Sequence, residues 1–225
     1  MPRRTPLELP PTPHLKLESA HWQQGVRYVA GLDEAGRGAL AGPVAVGAVI
    51  LPPTQEIATR LEGVRDSKQM TPKAREQWAE RIRTHALAWA VGMASPQEID
   101  DLGIVPAIRL AAQRALQQLS PSPQALLTDY GLRPESSLPL QMLVKGDRRS
   151  LSIAAASILA KTQRDALMRC LDAQYPGYGL AQHKGYATRA HRFAIGQLGL
   201  SAIHRHTFTV KTFPKNAQAS QELQG

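Results

Sequence analysis

Four acidic residues occupy places where a predicted strand ends or turns. Asp33 and Glu34 follow one short apolar run, Asp129 follows a second and Asp147 follows a third. Carboxylates at the ends of adjacent strands can converge on one point, and their oxygens are the ligands that Mg²⁺ and Mn²⁺ prefer. Two such ions about 4 Å apart can activate a water and stabilise the leaving oxygen in phosphodiester cleavage. The alternative is that each acid caps a helix or lies in a turn.

A glycine-rich turn directly follows the Asp33-Glu34 pair. Gly36, Arg37 and Gly38 are followed by Gly42, and an apolar strand-like run comes next. A dinucleotide-binding loop needs a helix at that point, so this pattern excludes it. Two glycines around an arginine instead permit close approach of the backbone to a sugar-phosphate. A tight turn with an exposed arginine is the structural alternative.

The segments that must position these residues alternate between strand and helix patterns. We predict strands at residues 27–32, 43–51, 87–91, 126–129 and 140–144. We predict helices that begin at Thr71-Pro72 and at Ser95-Pro96, and further helices at residues 105–119, 150–173 and 188–198. This order predicts an α/β fold with a mixed sheet. The Pro-rich residues 1–24 are expected to form an N-terminal arm, extended to about residue 20.

The charge of the chain is concentrated in its C-terminal part. The 225 residues carry 27 Lys and Arg against 18 Asp and Glu, a net charge of +9. Residues 145–225 hold 12 basic and 4 acidic residues, whereas residues 1–144 hold 15 and 14. A basic region of this kind favours a polyanion partner, nucleic acid first, although a solvated basic face would show the same charge.

The cysteine content and the apolar segments bear on the compartment. The one cysteine, Cys170, allows no intrachain disulfide and is expected to be a buried thiol in a helix. No secretory signal is evident in the Pro-rich start, and the longest apolar stretch is too short to span a bilayer. We therefore expect a cytoplasmic protein, a monomer, that does not associate with membranes.

Five segments together resemble ribonuclease HII, a type 2 ribonuclease H. In chain order between residues 26 and 213 they are GLDEAGRGALAGPVAVGAVIL, DSKQM, VKGDRRSLSIAAASILAKTQRD, YPGYGLAQHKGYATRAH and IHRHTF. The resemblance implies a ribonuclease H-like fold, with a mixed central sheet flanked by helices and a C-terminal helical part. It places the catalytic domain at residues 25–213 and leaves residues 214–225 as a flexible tail.

The resemblance also implies an activity and the residues that carry it. Members of this family cleave the RNA strand of RNA-DNA hybrids and cut 5′ to single ribonucleotides in duplex DNA, leaving 3′-OH and 5′-phosphate ends. Two divalent ions, Mn²⁺ or Mg²⁺, are implied as cofactors. The implied metal-binding and substrate-binding positions are Asp33, Glu34, Asp129 and Asp147 for the metals, Gly36, Arg37, Gly38 and Tyr186 for the ribonucleotide and its junction, and Lys68, Ser157 and Lys161 for phosphates.

Departures from the family pattern concern binding and leave the acids intact. The turn has Ala39 where relatives commonly have proline, Tyr130-Gly131 follow the third acid, and the final motif reads HRHTF instead of HRRSF. His206 therefore replaces a permanent charge with a titratable one. The histidines of this region, His183, His191, His204 and His206, lack the spacing of a metal site and are expected to make loop or phosphate contacts.

Two alternative functions remain open at this point. A junction resolvase of the same fold would also use clustered acids, but it would not require a 2′-OH in its substrate. A basic protein that binds nucleic acid without catalysis would use the acids only as caps and ion-pair partners. Four acids near a phosphate-binding surface disfavour the second alternative, because they would repel phosphate in the absence of metal.

Overall fold

The structure, a computed structural model, describes residues 9–65 and 67–211 of the chain. These residues form five strands and eight helices. In chain order the elements are α1 (Lys16–Gln23), β1 (Val29–Ala35), β2 (Val44–Ile50), α2 (Glu56–Arg60), α3 (Pro72–His85), β3 (Ala88–Ala94), α4 (Pro96–Leu102), α5 (Ile104–Gln117), β4 (Ala125–Asp129), β5 (Leu140–Leu143), α6 (Leu151–Gln174), α7 (Leu180–His183) and α8 (Arg189–Leu198). Short 3₁₀ turns lie at Ser67–Gln69 and Gly146–Arg148.

The strands form one mixed sheet in the order β3-β2-β1-β4-β5. β2 pairs antiparallel with both β1 and β3, whereas β1 pairs parallel with β4 and β4 with β5. The ends of β1 and β4 therefore meet at the same edge of the sheet, as parallel strands must. The predicted α/β class and mixed sheet are confirmed.

Strand β2 shows why the sheet is covered on both faces. Its residues are all buried, which is the pattern of a strand with a layer of helix on each side. Val46 and Ile50 face one core, which α5 closes, and Val49 faces the other, which α3 and α6 close. Gly47 allows the close approach of α6, because a Cβ there would meet the Ala156 carbonyl oxygen at 2.2 Å.

The C-terminal helices form a third cluster beside the sheet. α7, α8 and the chain around Ile203 pack against Leu40, Ala41 and Met168 of the turn after β1 and of α6. This confirms the expected C-terminal helical part. No helix among residues 9–65 and 67–211 is long and apolar enough to cross a membrane.

The N-terminal arm departs from the extended chain that the prolines predicted. Residues 16–23 form α1, and Leu15 is buried against the core. Glu18 is fully buried, and its Oε1 accepts hydrogen bonds from the Ser150 hydroxyl at 2.6 Å and from the backbone N–H and hydroxyl of Ser152 at 2.9 and 2.7 Å. A carboxylate at the start of α6 is favourable because the first N–H groups of a helix lack intrahelical partners.

Two further expectations change or lie outside the described residues. Cys170 is exposed on α6, not buried. The apolar residues near it predicted burial, but the 24-residue helix turns this position away from the core. The predicted tail, residues 214–225, lies outside the described residues, as do residues 1–8 of the arm.

Candidate active site

The four predicted acids lie at one edge of the sheet, on three neighbouring segments. Asp33 and Glu34 belong to β1, which continues to Ala35 instead of ending before them. Asp33 and Asp129 directly follow Leu32 and Thr128, the last paired residues of the parallel strands β1 and β4. Asp147 is buried in the 3₁₀ turn that follows β5. The sheet therefore brings together residues that are 114 positions apart in the chain.

Asp33 lies in the least favourable environment for a charge. Its side chain faces α6, and burial is the main reason that the pKa of this carboxyl is raised well above its ordinary value. The charges of Glu34, Asp129 and Asp147 raise the same pKa further, whereas a hydrogen bond with Ser157 lowers it. These four carboxylates are thus near enough to repel one another.

Glu34 and Asp129 are each drawn toward a donor of the protein. A Glu34 oxygen lies 3.6 Å from the Arg37 guanidinium. Burial and the Asp129 charge raise the pKa of Glu34, whereas the positive charge of Arg37 lowers it; the net effect is a raised pKa. An Asp129 oxygen accepts a hydrogen bond of 2.7 Å from the Gly146 N–H. That bond links the end of β4 to the turn that carries Asp147.

The donor set matches a divalent cation of the Mg²⁺ or Mn²⁺ type. All four side chains offer hard oxygen ligands, and Glu34 Oε2 is buried with no hydrogen-bond partner. In the part of the chain that the structure describes, no three His, Cys, Asp or Glu side chains are yet grouped closely enough to hold an ion together. Glu34 is instead turned toward Arg37, and Asp129 accepts the Gly146 N–H. The chemistry of the ligands fits the metal, because cations would relieve the repulsion around Asp33.

A chain of hydroxyls supports Asp33 from behind. The Ser157 hydroxyl, on α6, lies 2.9 Å from the Ser67 hydroxyl in the DSK segment. The Arg75 guanidinium holds that segment through the carbonyls of Ser67 and Met70, at 3.0 and 2.6 Å. Ser157 is buried and bonds to Asp33. Lys68, which follows Ser67 in the DSK segment, is exposed.

The glycine-rich turn stands directly beside the acids. Gly36 is buried with φ of +88°, and Arg37 and Gly38 are exposed. At Gly36 a side chain is excluded, because a Cβ there would meet the Arg164 Nε at 2.0 Å. The turn is thus a backbone surface with one arginine side chain, which reaches back to Glu34.

Tyr186 lies against the far side of the same turn. It forms an isolated antiparallel bridge with Ala39, and the Gly185 carbonyl accepts the Leu40 N–H at 2.8 Å. The cations of Lys161 and Arg164 lie 5.2 and 5.4 Å from the centre of its half-buried ring. Lys161 also forms an ion pair of 2.7 Å with Asp165, so its ammonium group is held in place.

Comparison with known proteins agrees with this geometry. The family model described as Ribonuclease HII matches residues 30–211. The chain belongs to the ribonuclease HII family. It is 52% identical to a ribonuclease HII of Thermus thermophilus over 192 residues, covering 85% of this chain and 91% of that protein. It is 53% identical to the Synechococcus protein over 196 residues, covering 87% and 88%.

A solved structure supports the fold independently of these sequences. The ribonuclease H2 of Pyrococcus horikoshii superposes with a TM-score of 0.67 at 27% identity, covering 81% of this chain and 94% of that one. The chain thus has the ribonuclease H-like fold that its motifs implied. As a member of the ribonuclease HII family it is a ribonuclease H, a class of metal-dependent endonucleases.

The histidines make the loop contacts that the sequence predicted, but two of them are too deeply buried for the phosphate contacts that were the other expectation. His191 and His204 are buried and do not face solvent as phosphate contacts would. The Ser201 N–H donates to His204 Nδ1 at 3.0 Å, and His191 Nδ1 donates to the Tyr186 carbonyl at 3.0 Å. The bond of 3.2 Å between their Nε2 atoms must then run from His204 to His191. Both rings are neutral, and burial lowers the pKa of each to about 4.

The final motif, IHRHTF, has its side chains divided between core and surface. Arg205 is fully buried beneath the glycine-rich turn, and the side chain of His206 is exposed. Asp100 of α4 accepts the backbone N–H groups of His206 and Thr207 at 2.8 and 3.0 Å, and the Thr207 hydroxyl at 2.6 Å. The Thr207 hydroxyl therefore anchors the chain to α4.

Sequence reasoning missed the residues that support the site from within. They are Ser67, Arg164, His191, His204 and Arg205, and all five are polar or charged residues in the interior. His191 and His204 were predicted to make loop or phosphate contacts, but not to support the site from the core. Arg164 and Arg205 lie inside two of the quoted motifs, but a lysine- and arginine-rich motif in a basic protein predicts a surface. Burial of an arginine without a carboxylate partner is rare, and no periodicity signals it.

Proposed function

We propose that this ribonuclease hydrolyses the RNA strand of RNA-DNA hybrids and also cuts 5′ to single ribonucleotides embedded in duplex DNA. The cut leaves 3′-OH and 5′-phosphate ends. The observation that carries the proposal is the adjacency of four acids, a backbone turn and a tyrosine: Glu34 is 3.6 Å from Arg37, and Ala39 pairs with Tyr186. The protein acts as a monomer in the cytoplasm, and its catalytic domain spans residues 25–213.

In this proposal Asp33, Glu34, Asp129 and Asp147 hold two divalent ions, Mn²⁺ or Mg²⁺. The ions, when bound, supply activation of the attacking water and stabilisation of the leaving oxygen. The chain's own contribution is to hold four carboxylates that repel one another at one point. Ser157 fixes the orientation of Asp33, and the Gly146 N–H fixes that of Asp129.

The turn and the tyrosine recognise the ribonucleotide. The exposed turn at Arg37 and Gly38 approaches the 2′-OH and the adjacent phosphate, because Gly38 has no side chain and that of Arg37 reaches back to Glu34. The Tyr186 ring stacks on the sugar of the next nucleotide, while Lys161 and Arg164 hold the ring in place. A requirement for the 2′-OH follows, since that group distinguishes RNA from DNA.

Basic residues bind the duplex backbone without reading its sequence. Lys68, in the DSK segment, is exposed near the acids, and the excess of positive charge lies in residues 145–225. Lys161 contributes charge near the scissile phosphate, although Asp165 offsets part of it. Binding should therefore weaken steeply with salt, because cations of the protein displace counterions from the phosphates.

The test is cleavage of an end-labelled DNA duplex that contains one ribonucleotide. An all-DNA duplex is cut in parallel, with Mg²⁺, Mn²⁺ or a chelator. The parent protein is compared with Asp33→Asn and with Asp101→Asn, the same change on an exposed face of α4. We expect one cut 5′ to the ribonucleotide that depends on metal, is lost in Asp33→Asn and is kept in Asp101→Asn.

Two other outcomes would overturn the proposal in different ways. Equal cutting of the all-DNA duplex would indicate a nuclease of resolvase type that ignores the 2′-OH. Binding of both duplexes without cleavage in any divalent metal would indicate a protein that binds nucleic acid without cutting it. A long RNA-DNA hybrid is cut in a separate reaction; cutting of that hybrid but not of the single ribonucleotide would restrict the activity to RNA strands.

A further inference from the structure

Two arginines hold the glycine-rich turn from beneath by its carbonyl groups. Arg205 donates from Nε and Nη2 to the Gly42 carbonyl at 3.0 and 2.9 Å, from Nη1 to that of Arg37 at 2.9 Å and from Nη2 to that of Gly36 at 2.7 Å. Arg164 donates from Nη2 to the Ala41 carbonyl at 3.0 Å and from Nε to that of Pro43 at 2.8 Å.

Both guanidinium groups lie fully inside the protein. Arg164 and Arg205 are each 0% exposed, and among the described residues all their hydrogen-bond acceptors are backbone carbonyls. A buried charge is costly unless polar groups surround it, and these carbonyls provide that surrounding. The turn therefore folds around the two cations, and two positive charges remain close beneath its outer surface.

The inward carbonyls dictate where the N–H groups of the turn point. In a trans peptide the C=O and N–H bonds point in opposite directions. The carbonyls of Gly36 and Arg37 point to Arg205, so the N–H groups of Arg37 and Gly38 point away from it, toward the exposed surface. Within the described residues neither N–H donates to another group. Two adjacent outward N–H groups form a receptor for an oxygen atom or an anion.

We propose that Arg164 and Arg205 are positioning residues that set the selectivity for a 2′-OH by fixing the N–H groups of Arg37 and Gly38. This inference rests on the proposed function, because it assumes that the turn contacts the ribonucleotide. Lysine cannot replace either arginine, since one ammonium group cannot span carbonyls that a planar fork with five N–H donors reaches together. The buried charges add attraction for the neighbouring phosphate.

The test is an internal competition between two duplexes with different labels. One contains a single ribonucleotide, and the other contains a 2′-fluoro nucleotide at the same position, which keeps the sugar but lacks the hydroxyl. The ratio of their kcat/KM values does not depend on the fraction of enzyme that is folded. The variants are Arg205→Lys and Arg164→Lys. The control is Arg114→Lys. The Arg114 guanidinium donates to the Met93 carbonyl and to Glu98 and does not hold the glycine-rich turn.

We expect the ratio in favour of the ribonucleotide to fall at least about tenfold in both turn variants, the effect of losing hydrogen bonds to a charged group. The control should keep the parent's ratio. A merely structural role would slow both substrates equally and leave the ratio unchanged in Arg205→Lys and Arg164→Lys, which would overturn the inference. A parent that shows no preference for the ribonucleotide would instead contradict the proposed function.

A measurement on the parent protein keeps the inference testable if the variants do not fold. The backbone amide resonances of Arg37 and Gly38 are followed by NMR in the presence of chelator, while each duplex is added. We expect both to shift with the ribonucleotide duplex and to shift less with the all-DNA duplex. Equal shifts with both duplexes, or none, would overturn the assignment of these N–H groups to the 2′-OH.

Discussion

The acidic edge of the sheet and the basic support beneath the turn lie side by side, but their charges are satisfied in opposite ways. At the edge, burial and the charges of its neighbours raise the pKa of Asp33, and Glu34 Oε2 is buried with no partner. Beneath the turn, Arg205 alone makes four hydrogen bonds to carbonyls. The first region needs cations from outside, whereas the second is complete in the folded chain.

This difference separates catalysis from recognition in physical terms. A group of like charges is unfavourable for folding and becomes favourable only when a cation binds. A turn with five carbonyls held by buried arginines is rigid before the substrate arrives, which lowers the entropy lost on binding. Changes at the acids should therefore affect activity more than stability, and changes at the turn should affect both.

The largest effect is expected for Asp33→Asn. Cleavage should fall by about 10³-fold or more, because several kcal/mol of electrostatic stabilisation are lost with the ions. Stability in metal-free buffer at neutral pH should rise, since the variant removes a buried charge among three others. Urea denaturation and single-turnover cleavage measure the two effects. A variant that is less stable than the parent would contradict the account of the acidic edge.

Glycine substitutions test the turn, with the free energy of unfolding as the measurement. Gly36→Ala should lose about 3 kcal/mol, because it adds a clash with Arg164 to the strain of a positive φ. Gly25→Ala has the positive φ but open space, and should lose about 1 kcal/mol. Gly38→Ala has neither a positive φ nor a clash, and should change the free energy of unfolding by less than about 0.5 kcal/mol. Equal losses at Gly36 and Gly38 would show that the turn is not held as described.

Acid pH should weaken the histidine pair behind Tyr186. His191 and His204 have a pKa of about 4 in the fold against 6.5 for an ordinary histidine, so the unfolded chain binds more protons between these values. Stability should therefore fall as pH drops from 6.5 toward 4, by about 2 kcal/mol for one histidine. In urea denaturation at each pH, His191→Asn should show a smaller fall in stability than the parent. The control His85→Gln, whose histidine does not influence the pair, should show the same fall as the parent. Parallel curves for parent and His191→Asn would contradict the neutral pair.

The smallest effect is expected at the exposed His206. His206→Arg restores a permanent charge without disturbing the backbone bond to Asp100. The slope of log Kd against log salt concentration should steepen by about 1 if the new charge reaches a phosphate. Duplex binding at several salt concentrations measures this slope. An unchanged slope would place His206 outside the duplex-binding surface and confine recognition to the turn and its neighbours.

The sequence predicted well those features that depend on local patterns. The apolar run at residues 43–51 and the capped helix start at Thr71 appear as β2 and α3, where the Thr71 hydroxyl accepts the Ala74 N–H at 3.2 Å. The four acids could be placed near one another because parallel strands end at one edge. The helix at residues 16–23 was missed, since its stabilisation comes from the distant Ser150 and Ser152.

Interior polar contacts could not be predicted for a different reason. Arg205 and His204 are neighbours in one motif, and each is buried by partners that lie far away in the chain or across a turn. Residue type argues for exposure of such groups, and only the folded backbone supplies the carbonyls that make burial possible. The same reasoning applies to Ser157: the sequence predicted a phosphate contact there, and its bonds to Ser67 and Asp33 depend on partners that only the fold brings near.

The central claim is that the acidic edge is built to receive divalent cations, and counting bound Mn²⁺ tests it most directly. Free Mn²⁺ is measured by electron paramagnetic resonance in the presence of a nicked product duplex that cannot be cut again. The account predicts two ions for each parent chain, the same number for Asp101→Asn and fewer for Asp33→Asn. Equal Mn²⁺ binding by the parent and Asp33→Asn would contradict it.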